Sequence, residues 1–514
     1  MNPIEEILNQ FKEVPLEADL ESLPEDVRSA LPYIRQAMDL VTRIFLRQQH
    51  EHLPEHYDSV MKGEDEWRKR FYELFKGPWN QLTDFKSEYP DVNNRSAGCA
   101  FYPEDWANAK IKKTVEAMSG PEKEAAMDTY TVLRDNKGKL EAIPYHVYYA
   151  EELGEVFDLL EKAADMVEHE GLSSYLINRA EALVSGNYRE SDAEWVRLTD
   201  SPVDLVIGPY EVYADALLGV KATYESMLMV VDREKGNALK EIESNLENLA
   251  AVFPVQSGAK AAVGGVAPIV VVDQIYSGGE AAQGVMAAAF NLPNDAWVRG
   301  NVGWKQVMLH NVMKAKFTVG TKEIAKKVMH GGENVDFDPM FTFVLLHEIS
   351  HGLGPAYRAD GRETAKCIGS SYVAIEETKA DTGALYLILK LGGQYGINRY
   401  DSEVLLKTYL AGLFRSMRFG VHEAHGKANV IQFNWLKEKG VITRDGDRFA
   451  INAENIQNVA EELLVKVCTI EAAATPEEAE DFLREYGTPG EDILNAIGKL
   501  SDIPTDIKPV FPEF

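Results

Sequence analysis

Apolar residues recur three and four positions apart through most of residues 1–195, the spacing of helices that bury one face. PYIRQAMDLVTRIFLRQQ (32–49), AAMDTYTVLRD (125–135) and EELGEVFDLLEKAADMVEHEGLSSYLINRAEALVSG (151–186) carry it. From about 200 to 318 the texture changes. VDLVIGPYEVYAD (203–215), TYESMLMVVDRE (223–234), APIVVVDQIYSGG (267–279) and KAKFTVGTKE (314–323) are β-branched and aromatic runs bounded by Gly, Pro or charge, and they predict strands. After residue 400, EVLLKTYLAGLFRSMRFGVHEAHGKANVIQFNWLKEKGVI reads as broken helix and RDGDRFAIN as a short hairpin. Two final helices follow in 454–474 and 475–487, with Pro476 and Pro489 as boundary residues.

The remaining pattern is a pair of helical stretches that carry chemistry, FTFVLLHEISHGLGPA (341–356) and YVAIEETKADTGALYLI (372–388). His347 and His351 stand four apart behind the apolar run 341–346, so one helical face presents both imidazoles to one metal ion. Glu348 lies one step round, where it reaches an attacking water without being a ligand. In the second stretch Glu377 and Asp381 are again four apart. One can be a third ligand while the other accepts the free ring N–H of a ligating histidine. This is the HExxH arrangement of zinc hydrolases, and it predicts a helical catalytic lobe beside a mixed, sheet-containing one, with the metal in the crevice.

Composition narrows the picture. The 514 residues include 82 acidic and 53 basic side chains, a formal net charge of -29, which gives no support to nucleic-acid binding. No run of 18 apolar residues predicts a membrane span, and the start, MNPIEEILNQFKEV, does not read as a secretory signal. The widely spaced Cys99, Cys367 and Cys468 fit a reducing compartment better than a disulfide framework. SGAKAAVGGVAP (257–268) matches no phosphate-binding motif, and is either a connector or a cleft wall that a substrate backbone approaches. His50, His52 and His56, in a polar turn-like stretch with Pro54, read as surface residues.

Together these stretches resemble the dipeptidyl peptidase III family of zinc peptidases, whose HExxGH and EExxAE helices correspond to HEISH (347–351), one residue shorter, and EETKAD (376–381), ending in Asp. The family's ESY, NxPN and AHxxAR segments are similar to Glu211-Val212-Tyr213, Asn291-Leu292-Pro293-Asn294 and Ala424-His425-Gly426-Lys427-Ala428-Asn429. Asn429 replaces the family's Arg, which removes a cationic contact. The match runs patchily from about 200 to 440.

The resemblance implies that His347, His351 and Glu377 bind one Zn2+, that Glu348 activates water, and that Glu376 and Asp381 hold the histidine rings. It implies that Glu211, Asn291 and Asn294 receive the substrate's ammonium group, and that Tyr213 and His425 donate to the oxyanion. The expected fold is α+β, predominantly helical, two-lobed and zincin-like: 1–318 a mixed lobe with a β-sheet or barrel-like core and a 230–270 excursion into the other lobe, 319–514 the mainly helical catalytic lobe. The expected activity is removal of dipeptides from short peptides with free amino termini, by a cytoplasmic monomer without nucleic-acid or membrane partners. An endopeptidase or aminopeptidase on the same zinc core, or a catalytically weak peptide-binding protein, are the alternatives.

Overall fold

The computed structural model describes residues 3–254 and 268–514; the glycine-containing stretch 257–267 lies outside the described residues. The chain divides into two compact units, the first comprising Met1–Asp232, Ala267–Val312 and Asp506–Phe514, the second Arg233–Val266 and Met313–Thr505.

In the first unit, β1 (Phe11–Pro15) pairs with a strand from the other end of the chain. The long helix α1 (Glu25–Gln49) buries Val27, Leu31, Ile34, Met38, Val41 and Phe45, a stripe at helical spacing. It packs against α2 (Ala150–Met166), which in turn packs against α3 (Glu170–Ser185). The other face of this helical layer meets a five-stranded sheet of β2 (Val203–Glu211), β3 (Thr223–Val231), β4 (Ile269–Gly279), β5 (Ala289–Leu292) and β6 (Lys305–Leu309), in the order β2-β3-β4-β6-β5. All pairs are antiparallel except β4 with β6. α1 crosses β4 where a Cβ on Gly278 would stand 2.8 Å from the Met38 carbonyl oxygen, so only glycine admits the helix this close. Gln48 fixes the end of α1: its Nε2 donates to the Ala222 carbonyl (3.1 Å) and its Oε1 accepts from the Tyr224 N–H (2.8 Å). The last strand, β7 (Asp506–Val510), runs parallel to β1 with Phe11 opposite Asp506.

The second unit is helical around its own centre. Helix α4 (Leu246–Val252) precedes Phe253, whose ring packs at Gly354 and Gly383. The central helices are α5 (Phe337–His351), α6 (Tyr372–Leu391), α7 (Ser402–Met417), α8 (Ala424–Glu438) and α9 (Ile456–Ala473). α6 touches α5, α8 and α9, so its residues from Thr378 to Ile388 are all buried, the charged Lys379 and Asp381 among apolar and small neighbours. The hairpin 442–451 and the helix Pro476–Tyr486, with Pro476 in its first turn, stand where the pattern placed them.

Three stretches differ from the sequence reading. KAKFTVGTKE is helical: His310–Lys316, a π-helical turn Phe317–Thr321, and Lys322–Val328. Its β-branched residues resemble a strand, but Met313, Phe317, Ile324 and Val328 are buried at helix-like intervals, and burial overrides propensity. In AAMDTYTVLRD the helix ends at Met127, and Thr131–Asn136 pairs antiparallel with Lys139–Pro144. The cause is the turn at Lys137 (φ 52) and Gly138 (φ 85), a left-handed pair that closes a hairpin. Residues 53–62 are helix rather than turn, with Pro54 in its first turn, where a missing N–H costs nothing; His50, His52 and His56 are exposed, as expected.

Candidate metal centre and peptide-binding pocket

The second unit brings the HExxH and EETKAD residues together at the crossing of α5 and α6. His347 Nε2 and His351 Nε2 are 3.2 Å apart, and Glu377 Oε2 lies 3.6 Å from the first and 3.9 Å from the second. Among the described residues this is the one group of three donors within 4.8 Å of one another. Ligands at 2.0–2.1 Å from a tetrahedral zinc stand about 3.3 Å apart, so the spacing suits that ion. Glu377 Oε2 is buried without a hydrogen-bond donor; His425 Nδ1 is 3.1 Å away but not in bonding geometry. A buried carboxylate oxygen left in that state needs a cation. Glu348, next to His347 on the half-buried face, has no hydrogen bond or ion pair among the described residues.

Each histidine is held at its other nitrogen. Asp381 Oδ1 lies 2.8 Å from His347 Nδ1, and Glu376 Oε1 lies 3.0 Å from His351 Nδ1. Such bonds place the ring proton on Nδ1 and leave Nε2 free to ligate. Asp381 Oδ2 accepts from Gln432 Nε2 (2.7 Å), which also donates to the Ala428 carbonyl (3.0 Å), while Gln432 Oε1 accepts from the Tyr409 hydroxyl. Burial disfavours a charged His347, yet the hydrogen bond and charge of Asp381, with Glu348 and Glu377, outweigh it, and the metal-free imidazole is pushed up to about 9. His425, exposed at the start of α8, is raised by Glu377. Glu376 is buried, which would raise its pKa, but Lys379 and His351 hold it below the usual carboxylate range. The apolar lead-in is less buried than its pattern implies: Phe341–Val344 are half-buried, and only Leu345, Leu346 and Ile349 are core.

The first unit assembles the other set around a cavity of about 760 Å³ lined by Glu211, Tyr213, Asn291 and Asn294 together with Glu225 and Glu280. Glu211 ends β2, Asn291 lies in β5, and Asn294 follows a cis Leu292–Pro293 peptide. Asn294 Nδ2 donates to the Tyr210 carbonyl (3.1 Å) and to Glu211 Oε1 (3.3 Å), leaving its own oxygen free. Asn291 Oδ1 already accepts from Arg299 (3.0 Å), which leaves it one lone pair. Tyr213 is 81% exposed, which rules out a core role.

Three residues that the pattern did not single out shape these sites. Asp215 pins the loop after Tyr213: its oxygens accept from the N–H groups of Leu217, Leu218, Val220 and Lys221 and from the Tyr102 hydroxyl. An Asp just ahead of a glycine-ended loop was its signal. Glu225 and Glu280 bring two more carboxyls to the cavity. Burial and the charges of Glu280 and Glu211 hold Glu225 well above the carboxylate range. Glu280 is pushed up to about 7 by burial and by Glu211, against its bond from Thr223. Asn429 faces inward, 5% exposed, donating to Ser416 Oγ and to the His425 carbonyl. It braces α8 at the position where the resemblance puts the family's Arg.

The chain belongs to peptidase family M49, whose sequence profile matches residues 108–366. Two solved structures carry this further. The dipeptidyl peptidase III of Caldithrix abyssi superposes with a TM-score of 0.90 at 34% identity, covering 99% of this chain and 98% of that one. The dipeptidyl peptidase III of Corallococcus sp. strain EGB gives 0.78 at 31% identity, over 99% and 96%. The chain is thus a metallopeptidase of the dipeptidyl peptidase III type with that family's two-lobed, predominantly helical α+β fold. It is also 30% identical to an Arabidopsis thaliana protein named Nudix hydrolase 3, across 98% of this chain and 73% of the plant protein. Peptides are its substrate class, and no helix among the described residues is long and apolar enough to cross a membrane.

Proposed function

We propose that the enzyme is zinc-dependent and hydrolyses the second peptide bond from the free amino terminus of short peptides. The observation that carries this reading is the convergence of His347 Nε2, His351 Nε2 and the orphaned Glu377 Oε2, with both Nδ1 atoms already held by carboxylates. Zinc bound there supplies Lewis-acid polarisation of the scissile carbonyl and of the attacking water. Glu348, an unpaired carboxylate one step from His347, takes the water proton and passes it to the leaving amine. Tyr213 and His425 donate to the oxyanion, where a bond to developing charge is strongest in the transition state. Glu211, with the free oxygen of Asn294 and the remaining lone pair of Asn291, receives the substrate ammonium and sets the cut two residues inward. Three buried free cysteines fit a reducing compartment, and we place the enzyme in the cytoplasm.

The test is a mass-spectrometric time course of the zinc-loaded enzyme with one peptide of ~6 residues, with its amino terminus free or acetylated. Sequential dipeptide release from the free form alone is expected. Equal internal cleavage of both forms removes the ammonium clamp and favours an endopeptidase, release of single residues favours an aminopeptidase, and cleavage of neither form by protein holding one zinc favours a peptide-binding role.

A further inference from the structure

Behind the metal centre the second unit buries a lysine that the catalytic scheme does not use. Lys379 is 2% exposed, on α6 one turn past Glu376, and its ammonium lies 2.9 Å from Glu376 Oε1. That same oxygen is 3.0 Å from His351 Nδ1. A single carboxylate oxygen is therefore shared between a buried cation and the ring of a proposed metal ligand. From α9, Glu471 faces the pair; it is 0% exposed, and neither of its carboxyl oxygens has a hydrogen-bond donor. With the Lys379 and Glu376 side chains only 3% and 12% exposed, the field of the ammonium at Glu376 is little screened.

The geometry points to Lys379 as a positioning residue for the metal centre, acting through Glu376 to fix the orientation of His351. Two constraints follow from one contact. The ammonium compensates a carboxylate that the interior would otherwise disfavour, and it fixes the rotamer that aims Oε1 at Nδ1. His351 then presents its Nε2 lone pair with the ring already oriented. His347 gets the same service from a different construction, Asp381 braced by the neutral Gln432, so the two histidines are held by one charged and one uncharged support.

This inference rests on the ligand assignment proposed above, and zinc binding to the full chain separates the two. The affinity for Zn2+ is measured by competition with a chromophoric chelator at fixed pH, for the parent, His351→Ala, Lys379→Met, Glu376→Gln and the double variant Glu376→Gln/Lys379→Met. A parent that binds no zinc, or a His351→Ala variant that binds it as tightly, overturns the ligand assignment itself. With that assignment intact, Lys379→Met is expected to weaken zinc about 10- to 100-fold, the range for partners that orient ligands. The double variant is expected to match Glu376→Gln alone, because with Glu376 neutral the lysine's other carboxyl neighbour, Glu471, makes no bond to His351 through which it could act. A merely structural lysine gives a different pattern: lowered thermal stability with parental zinc affinity, or additive losses in the double variant, and either result overturns the proposal. Should Lys379→Met fail to fold, the double variant also removes the Glu376 charge, and Glu471, which burial holds well above the carboxylate range, is neutral there, so the double variant is expected to fold. Zinc binding about tenfold or more weaker than Glu376→Gln alone then overturns the proposal.

Discussion

Replacing Asp381 with Asn tests the carboxylate brace on His347 with almost no change of shape. Asp381 accepts two hydrogen bonds from fixed donors, His347 Nδ1–H at 2.8 Å and Gln432 Nε2–H at 2.7 Å. Asn offers one acceptor and one donor. If its oxygen faces His347, its amide nitrogen meets the Gln432 amide head-on. Gln432 cannot turn over freely, because its oxygen takes the Tyr409 hydroxyl and its second amide hydrogen the Ala428 carbonyl. If the amide is reversed, two donors meet at His347. Either way a buried polar pair goes unsatisfied, at about 1–3 kcal/mol, and the ring loses its charged partner. Zinc affinity is expected to fall about 10- to 100-fold, or about 1.4–2.8 kcal/mol. Chelator competition reads the affinity, and thermal unfolding of the metal-free protein reads the packing cost separately. An Asp381→Asn protein that binds zinc within about twofold of the parent would refute the reasoning.

Glu348→Gln is expected to keep zinc, measured by metal analysis after dialysis, while kcat falls about 10²- to 10⁴-fold; near-parental turnover rejects Glu348 as the base. Gly383→Ala sets a Cβ 2.5 Å from the Phe253 ring and 3.0 Å from Ser350 Oγ. It is expected to destabilise the fold by about 1–3 kcal/mol in urea titrations, with Phe253→Leu in the same chain recovering part; parental stability shows that the ring moves without cost. Glu280, pushed up to about 7 from an ordinary 4.5, gives the fold a pH dependence of known sign. The stability it contributes as a neutral carboxyl is full below pH 4.5 and is lost as pH rises through 7, about 3 kcal/mol at most. Melting temperatures of Glu280→Gln are expected to fall less over that window, and an unchanged slope removes Glu280 as its source.

The convergence of the candidate metal ligands was legible because it is local: HEISH and EETKAD each lie within two turns of a helix, where spacing in sequence is spacing in space. The cavity of the first unit was only partly legible. Glu211, Asn291 and Asn294 were found through a family resemblance, but Glu225 and Glu280 lie in strand and turn stretches where a carboxylate looks like any surface charge until the sheet folds it inward. The strands 203–211, 223–231 and 269–279 were read correctly from unbroken β-branched and aromatic runs, the mark of strands covered on both faces. The same cue failed at 314–323, where packing chose helix. Short strands such as Ala289–Leu292 and Lys305–Leu309 exist through their pairing with β4 and each other, and nothing in four or five residues announces that.

The pairing of β1 with β7 has a consequence for biosynthesis. Phe11–Pro15 leaves the ribosome about 490 residues ahead of its partner Asp506–Val510. At 5–20 residues per second that is a wait of about 25–100 s, during which the nascent chain carries an unpaired strand edge. Glu13 and Lys12 on that strand put charge along the waiting edge, a feature that discourages pairing with other chains. Translation speed, and chaperone cover during that interval, therefore bear on the yield of folded enzyme more than on its final stability.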